Sequence, residues 1–340
     1  MKLTQLKYSA FIILLLSISN AWAQQEYYFT NTINNPYSVN PAASGLASVI
    51  HIEASGRMQW LGYSGSPRTM LFTANGQLKT KGKEARTAFN EENKAFFKNP
   101  IRNTGSVKHI IGGKAMNDAI GPFAKTSIYG SYAIHLPFSK KLNFGAGLGI
   151  GWSNFRINQN RIILHQDDDQ IYNQFLTASA SQNFLDANAG IVLYGERFFG
   201  GFSVSQVFKN KANFGGIDTG NYFERHYFLL LKYRFEINTD FNLEPSIVIK
   251  YIKNTPMAID LGARLLYHDA DWFGFQYRTN NAFNIQVGAN LIKNFYLSYA
   301  YEFSTGEIRI SRNGTHEITL GIYIGKKRNT KKEIEEHTEE

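Results

Sequence analysis

Strict alternation of apolar and polar residues runs through most of this chain. Leu142, Phe144, Ala146, Leu148, Ile150 and Trp152 alternate with Asn143, Gly145, Gly147, Gly149, Gly151 and Ser153. The same period of two recurs through 259–267, 283–291, 295–303 and 318–324. Alternation of this kind puts one apolar and one polar face on each strand. Fourteen such segments can be counted, near 47–59, 66–78, 107–118, 122–136, 140–156, 184–195, 197–208, 223–236, 241–253, 256–268, 270–279, 282–292, 294–304 and 314–325. Most exceed the ~5–6 residues of soluble strands and suit tilted transmembrane ones. An even count joined by short connections predicts an all-β fold, a transmembrane up-and-down antiparallel β-barrel of about 14 strands. The rival is a soluble multi-sheet protein. There the apolar face would be a core, whereas here nearly every segment carries one with equal regularity. Trp60, Trp152, Tyr194, Tyr251 and Trp272 near strand ends suggest an interfacial aromatic girdle.

If the apolar face meets lipid, the other lines a polar lumen. Parity places Glu53, Arg57, Lys125, Asp186, Lys232, Arg234, Glu236, Glu244, Lys250, Asp260, Arg264, Arg278, Glu302 and Glu317 inside. Seven are basic and seven acidic, which argues for ion pairs that stiffen or occlude the lumen rather than for a one-signed pore field.

The ends of the chain read differently. Residues 1–23 have the form of a signal peptide: Lys2 and Lys7, an apolar run from Tyr8 to Ile18, then Ala21-Trp22-Ala23 as a cleavage site. The mature chain is then expected to start at Gln24, and export places it in the outer membrane of a Gram-negative bacterium. Residues 24–46 form an N-terminal segment expected to pack at or in the barrel. Its Tyr27, Tyr28, Phe29, Ile33, Tyr37 and Val39 need burial, while Asn35-Pro36 and Asn40-Pro41 favour turns. The barrel proper spans 47–325, and 326–340 is a charged tail expected to be disordered. By strand parity the long 157–183 connection, with Asp167-Asp168-Asp169, and the 209–222 connection lie outside. The short hairpins at 137–139, 196, 237–240, 269 and 293 lie on the periplasmic side, together with a long 79–106 connection.

Composition narrows the chemistry. The 340 residues carry a net charge of +9, no cysteine, and 14% aromatics. Without cysteine there is no disulfide frame, thiol nucleophile or zinc-thiolate site. Gly145-Ala146-Gly147-Leu148-Gly149-Ile150-Gly151 matches neither nucleotide-binding glycine pattern and reads as strand glycines facing a crowded lumen. Gly62-Tyr63-Ser64-Gly65-Ser66 lacks the final glycine of a nucleophile elbow and reads as a tight turn. The eight histidines show no metal-ligand spacing, and Asp167-Asp168-Asp169 lacks the spaced ligands of a calcium loop. Lys and Arg do not concentrate with stacking aromatics as nucleic-acid binding requires. No catalytic, cofactor or metal site emerges, so the expectation is a non-enzymatic barrel.

Asn35-Pro36-Tyr37-Ser38-Val39-Asn40-Pro41-Ala42-Ala43-Ser44-Gly45 resembles the "NP…NPAxxG" start of the PorP/SprF family, outer-membrane proteins associated with type IX secretion and gliding motility. The resemblance continues through Arg57, Gln59, Trp60 and Gly62, then Gly65 and Pro67, similar to that family's "RxQWxGxxGaPrT" hairpin. It extends through Asp118, Gly121 and Pro122, Tyr132, Glu244-Pro245, Tyr299 and Tyr301, and His316-Glu317. It implies a barrel that helps secreted, adhesin-like proteins reach or stay on the cell surface. The implied partners are secreted proteins with C-terminal sorting domains, type IX secretion components and outer-membrane lipid. The alternative is a transporter of small or hydrophobic solutes, since fatty-acid channels of fourteen strands also carry an NPA segment near the N-terminus.

Overall fold

The alternating segments form strands that pair antiparallel with their sequence neighbours. They are β1 (Ile50–Met58), β2 (Arg68–Gln77), β3 (Lys108–Ile120), β4 (Phe123–Pro137), β5 (Leu142–Ile157), β6 (Ser181–Gly195) and β7 (Phe198–Ser205). After a small hairpin, β8 (Lys211–Phe214) and β9 (Ile217–Tyr222), come β10 (His226–Tyr233), β11 (Phe235–Glu236), β12 (Phe241–Ile252) and β13 (Ala258–Tyr267). The last four are β14 (Asp271–Arg278), β15 (Ala282–Ile292), β16 (Phe295–Ser304) and β17 (Thr315–Ile324). In the computed structural model the described residues are 29–47, 49–78, 107–139, 141–158, 161–162, 181–214, 217–279, 282–292, 294–305 and 313–324. The proposed signal peptide, Tyr27 and Tyr28, the 79–106 connection, Asp167 to Asp169 and the 326–340 tail lie outside them.

Pairing of β1 with β17, from Ile50↔Ile324 to Met58↔His316, and of β10 with β12 closes a ring of fourteen strands. Closure removes the free edges an open sheet would expose. β11 prolongs β10 past Arg234 along β12, and the β8–β9 hairpin stands apart from the ring.

Side-chain exposure follows the alternation. Leu148 and Ile150 are 66% and 67% exposed, whereas Asn143 and Ser153 are buried. Arg264 faces inward and Leu265 outward. Three sequence expectations change. Tyr194 and Trp272 are buried and point into the barrel, so they do not belong to an outer girdle; Trp152 and Tyr251 do face outward. Glu236 is exposed beside Arg197 at the rim (2.6 Å) rather than in the lumen. The 209–222 connection contains the β8–β9 hairpin, and the expected 223–236 strand begins only at His226.

The wall is uneven in height. β3 to β6 run 13 to 16 residues, whereas β7 and β10 run 8 each. β7 pairs with β6 only over 189–194, so residues 181–188 of β6 rise above it. The following chain covers this edge: Val207 N–H donates to Ala187 O (3.1 Å), the Asn210 amide to Leu185 O (2.9 Å), and Phe223 stacks on Phe184. On the outer face of this taller part the residues turn polar. Asn117 bonds Thr126, and Asn154 bonds Ser181 and Asn183 (each 2.8 Å).

Candidate functional site: the filled lumen

Residues 29–47 thread through the barrel, almost entirely buried. They form three short 3-10 turns, Thr30–Ile33, Pro36–Ser38 and Pro41–Ala43. Each proline stands at the first position of its turn, where its fixed φ suits the bend and its missing N–H costs nothing. Asn35 and Asn40, just before the prolines, are held out of the helical region (φ −119° and −128°). Asn40 caps the third turn by accepting Ala42 N–H (2.9 Å), and its amide donates to Ile191 O and Phe202 O on the wall. Gly45 ends the segment at φ +71°, donating to the Asn75 side chain (2.8 Å).

Wall glycines make room for this path. A Cβ at Gly147 would lie 2.6 Å from Ala42 N, and one at Gly112 or Gly190 would run into Tyr37 or Asn40. Phe29, Ile33, Tyr37, Val39, Ala42 and Ala43 are all buried. Ile33, Ala42 and Ala43 pack with Val192, Tyr194, Phe199, Leu230 and Val248. Burial of the Tyr37 hydroxyl, bonded to Ser131 (2.7 Å), pushes its pKa up to about 12.

Charged wall residues hold the backbone of the segment. Glu317 accepts the N–H groups of Thr30 and Asn31 (both 2.8 Å). Arg57 bridges Glu317 (3.1 Å) and Glu302 (2.8 Å), and Arg278 bridges Glu302 (2.9 Å) and Asp260 (3.0 Å). Glu53 accepts from Asn35 (2.8 Å), Asn31 (3.1 Å) and the Tyr296 hydroxyl. Lys114 donates to Ser38 O (2.9 Å), Lys232 to Ile33 O (3.1 Å) and Ser203 to Val39 O (3.0 Å). His135 Nε2 donates to Ala42 O (2.8 Å), which leaves Nδ1 to accept the Tyr194 hydroxyl (2.9 Å). Near the short turns, Glu244 gathers Lys232, Arg234 and Arg264.

The sequence motifs are sorted by this geometry. Asn40, Pro41 and Gly45 lie in the threaded segment, and Arg57, Glu244 and Glu317 line the lumen. Another set builds the rim at the long-loop end. Gln59 N–H closes the β1–β2 hairpin onto Pro67 O (2.9 Å); Trp60, Gly62 and Gly65 take positive φ within it. Gly65 O receives Gly121 N–H (2.8 Å), Pro122 O receives Asn158 N–H (2.7 Å), and Asp118 accepts from Thr69 (2.6 Å). A third set faces outward: Tyr132 with His109 (2.6 Å), and His316 with Tyr299 (2.7 Å) and against the Tyr301 ring. His316 and Glu317 thus point to opposite faces, and Pro245 sits opposite Ala263 in the wall. The parity list missed Lys114, whose strand runs through Gly112-Gly113, and His51, His135 and His226, which share the inward parity of Glu53, Lys125 and Lys232 on their own strands but are not counted among the charges; all four are buried. Among the described residues, no three His, Asp or Glu side chains converge as metal ligands would.

Solved structures of similar outline include the Pseudomonas putida toluene transporter TodX, the CymD monoaromatic hydrocarbon channel and a Pseudomonas aeruginosa FadL homologue. Identities are 8%, 10% and 10%, and TM-scores 0.41, 0.45 and 0.40. They cover 88%, 91% and 84% of this chain and 93%, 95% and 90% of theirs. A search of curated proteins finds no match. A family match spans residues 21–322, nearly the whole barrel and its threaded segment. The chain therefore belongs to the family of the type IX secretion system membrane protein PorP/SprF.

Proposed function

We propose that this outer-membrane barrel acts without catalysis, helping type IX cargo reach or stay on the cell surface. The cargo is taken to be adhesin-like proteins with C-terminal sorting domains, working with other secretion components. The observation that carries the reading is the filled lumen. Residues 29–47 occupy it, held by buried charges and seated on wall glycines. A barrel filled in this way is better suited to presenting a surface than to passing solute. The interior is also polar: Gln276, Asn284 and Gln286 are buried beside Asp260 and Arg264. That weighs against the alternative, a channel for hydrophobic solutes, which needs a continuous apolar path. Binding falls to loops on the rigid scaffold, 157–183 and 209–222.

Gene deletion tests this directly. It should remove one or a few large proteins from the cell surface and leave uptake of a labelled fatty acid unchanged. Replacing 159–180, or 211–222, with a short Gly-Ser turn keeps Val207, Asn210 and Phe223 against β6. Such variants should assemble yet lose surface retention of cargo. If both retain every surface protein while fatty-acid entry falls, the transporter reading replaces this one.

A further inference from the structure

At the long-loop end the outer face of β2 to β6 carries a polar platform, assembled by cross-strand register. The topmost row sets Arg68 on β2 and Arg156 on β5, both exposed, on either side of Ala119 and Ala124. Three strand spacings of ~4.8 Å put the two arginine positions about 14 Å apart. The row beneath is Asn117, Thr126, Asn154 and Asn183, in register on β3 to β6. Bonds from Asn117 to Thr126 and from Asn154 to Ser181 and Asn183 (each 2.8 Å) fix these side chains. One row further down, Ile128, Trp152 and Leu185 are apolar and exposed. The two acids of these strands point inward: Asp118 accepts from the buried Thr69, and Asp186 is itself buried. The opposite wall differs at the same end, where Tyr277, Phe283 and Phe303, in register on β14 to β16, make the row aromatic.

Polar side chains set directly above an apolar, lipid-facing row meet whatever caps the acyl chains. A guanidinium recognises phosphate through paired N–H donors. Amides and hydroxyls both donate and accept, as sugar hydroxyls require. Trp152, at the boundary, combines an apolar ring with an N–H donor. Two arginines about 14 Å apart, with only alanines between them, suit a broad head bearing two separated phosphates. A headgroup with a single phosphodiester can engage one of them and not both. We infer that this platform binds the phosphorylated saccharide head of an outer-leaflet glycolipid. Its phosphates meet Arg68 and Arg156, its sugars lie over the alanines and the amide row, and its acyl chains run along Ile128, Trp152 and Leu185. The inference rests on the long-loop end facing outside, as strand parity expects. Arg156 and Ser181 flank the 157–183 connection, so the bound lipid borders a loop proposed to hold cargo.

The test uses the full chain folded in detergent micelles and native mass spectrometry of retained lipid. The probes, at equal concentration, are lipid A with two phosphates, lipid A stripped of phosphate, and phosphatidylglycerol. The doubly phosphorylated lipid should be retained at the highest occupancy. Arg68→Gln and Arg156→Gln should each weaken its retention about tenfold, as loss of a hydrogen bond to a charged group does. Arg197→Gln makes the same charge change at the short-turn rim and should leave retention unchanged. Equal retention of phosphatidylglycerol or of the stripped lipid overturns the proposal. So does unchanged retention in the double variant Arg68→Gln/Arg156→Gln, or an equal loss in Arg197→Gln, which would show attraction to charge anywhere on the barrel. Unheated gel mobility checks assembly; should a variant fail to assemble, the comparison of the three lipids on the natural chain still decides. Occupancy is read on the barrel alone, so this result stands apart from cargo retention.

Discussion

Single residues in this barrel are read by two different environments one position apart. Arg264 meets Glu244 inside, and Leu265 meets lipid outside. A charge facing lipid near the midplane costs about 2–4 kcal/mol. Leu265→Arg should therefore reduce the heat-modifiable, folded fraction of barrel on gels. Leu265→Ile, which keeps the surface apolar, should leave it unchanged. Glycine at the segment's seat carries a second residue-scale prediction. Gly147→Val pushes a methyl-bearing side chain into the backbone of Pro41 and Ala42, and overpacking of this kind costs about 1–3 kcal/mol. Because strand pairing is untouched, the expected outcome is faster protease cleavage within 29–45 while the barrel core stays resistant.

The threaded segment behaves as an element whose hold depends on many polar contacts and one buried phenol. Burial raises the Tyr37 pKa from 10.0 to about 12, so the neutral form is the one the seat favours. The resulting stabilisation is fully present below pH 10 and is lost as pH rises through about 12. Cleavage of 29–45 should thus accelerate over that window, and Tyr37→Phe should flatten the Tyr37 part of the rise. A profile identical in Tyr37→Phe would show that other groups set it. Glu317 provides the complementary test. Glu317→Gln keeps the shape but removes the charge between Arg57 and the Thr30 and Asn31 amides. Breaking one side of a buried pair typically costs about 3–5 kcal/mol, so limited proteolysis at neutral pH should find this segment loosened.

At the scale of the whole molecule, closure and filling act together. Fourteen strands satisfy each other's backbone groups around the ring, as a lipid environment demands. Unheated samples in mild detergent should therefore migrate differently from boiled ones, and recovery in the soluble periplasmic fraction would contradict an outer-membrane location. The taller β3–β6 side, with Asn117, Thr126 and Asn154 on its outer face and the edge of β6 covered, leads into the 157–183 and 209–222 connections proposed to bind cargo. Those loops are the surfaces whose replacement is expected to release cargo.

The sequence by itself determined the strands and their faces. A period of two is a local property, and lipid on one side leaves it undisturbed, which is why Leu148 and Ile150 face outward as alternation requires. It also determined the family, through short motifs in fixed order. Only the tertiary structure decided what fills the lumen and which charges meet. Glu53, Arg57, Glu302 and Glu317 were legible as inward residues. Their partners were not, because contacts such as Glu317 to Thr30 join positions far apart in the chain. Tyr194 and Trp272 looked like girdle residues for the same reason: an aromatic at a strand end is amphipathic, and only the inward neighbour two strands along the wall settles which face it takes. For Tyr194 that neighbour is His135, and for Trp272 it is Tyr296.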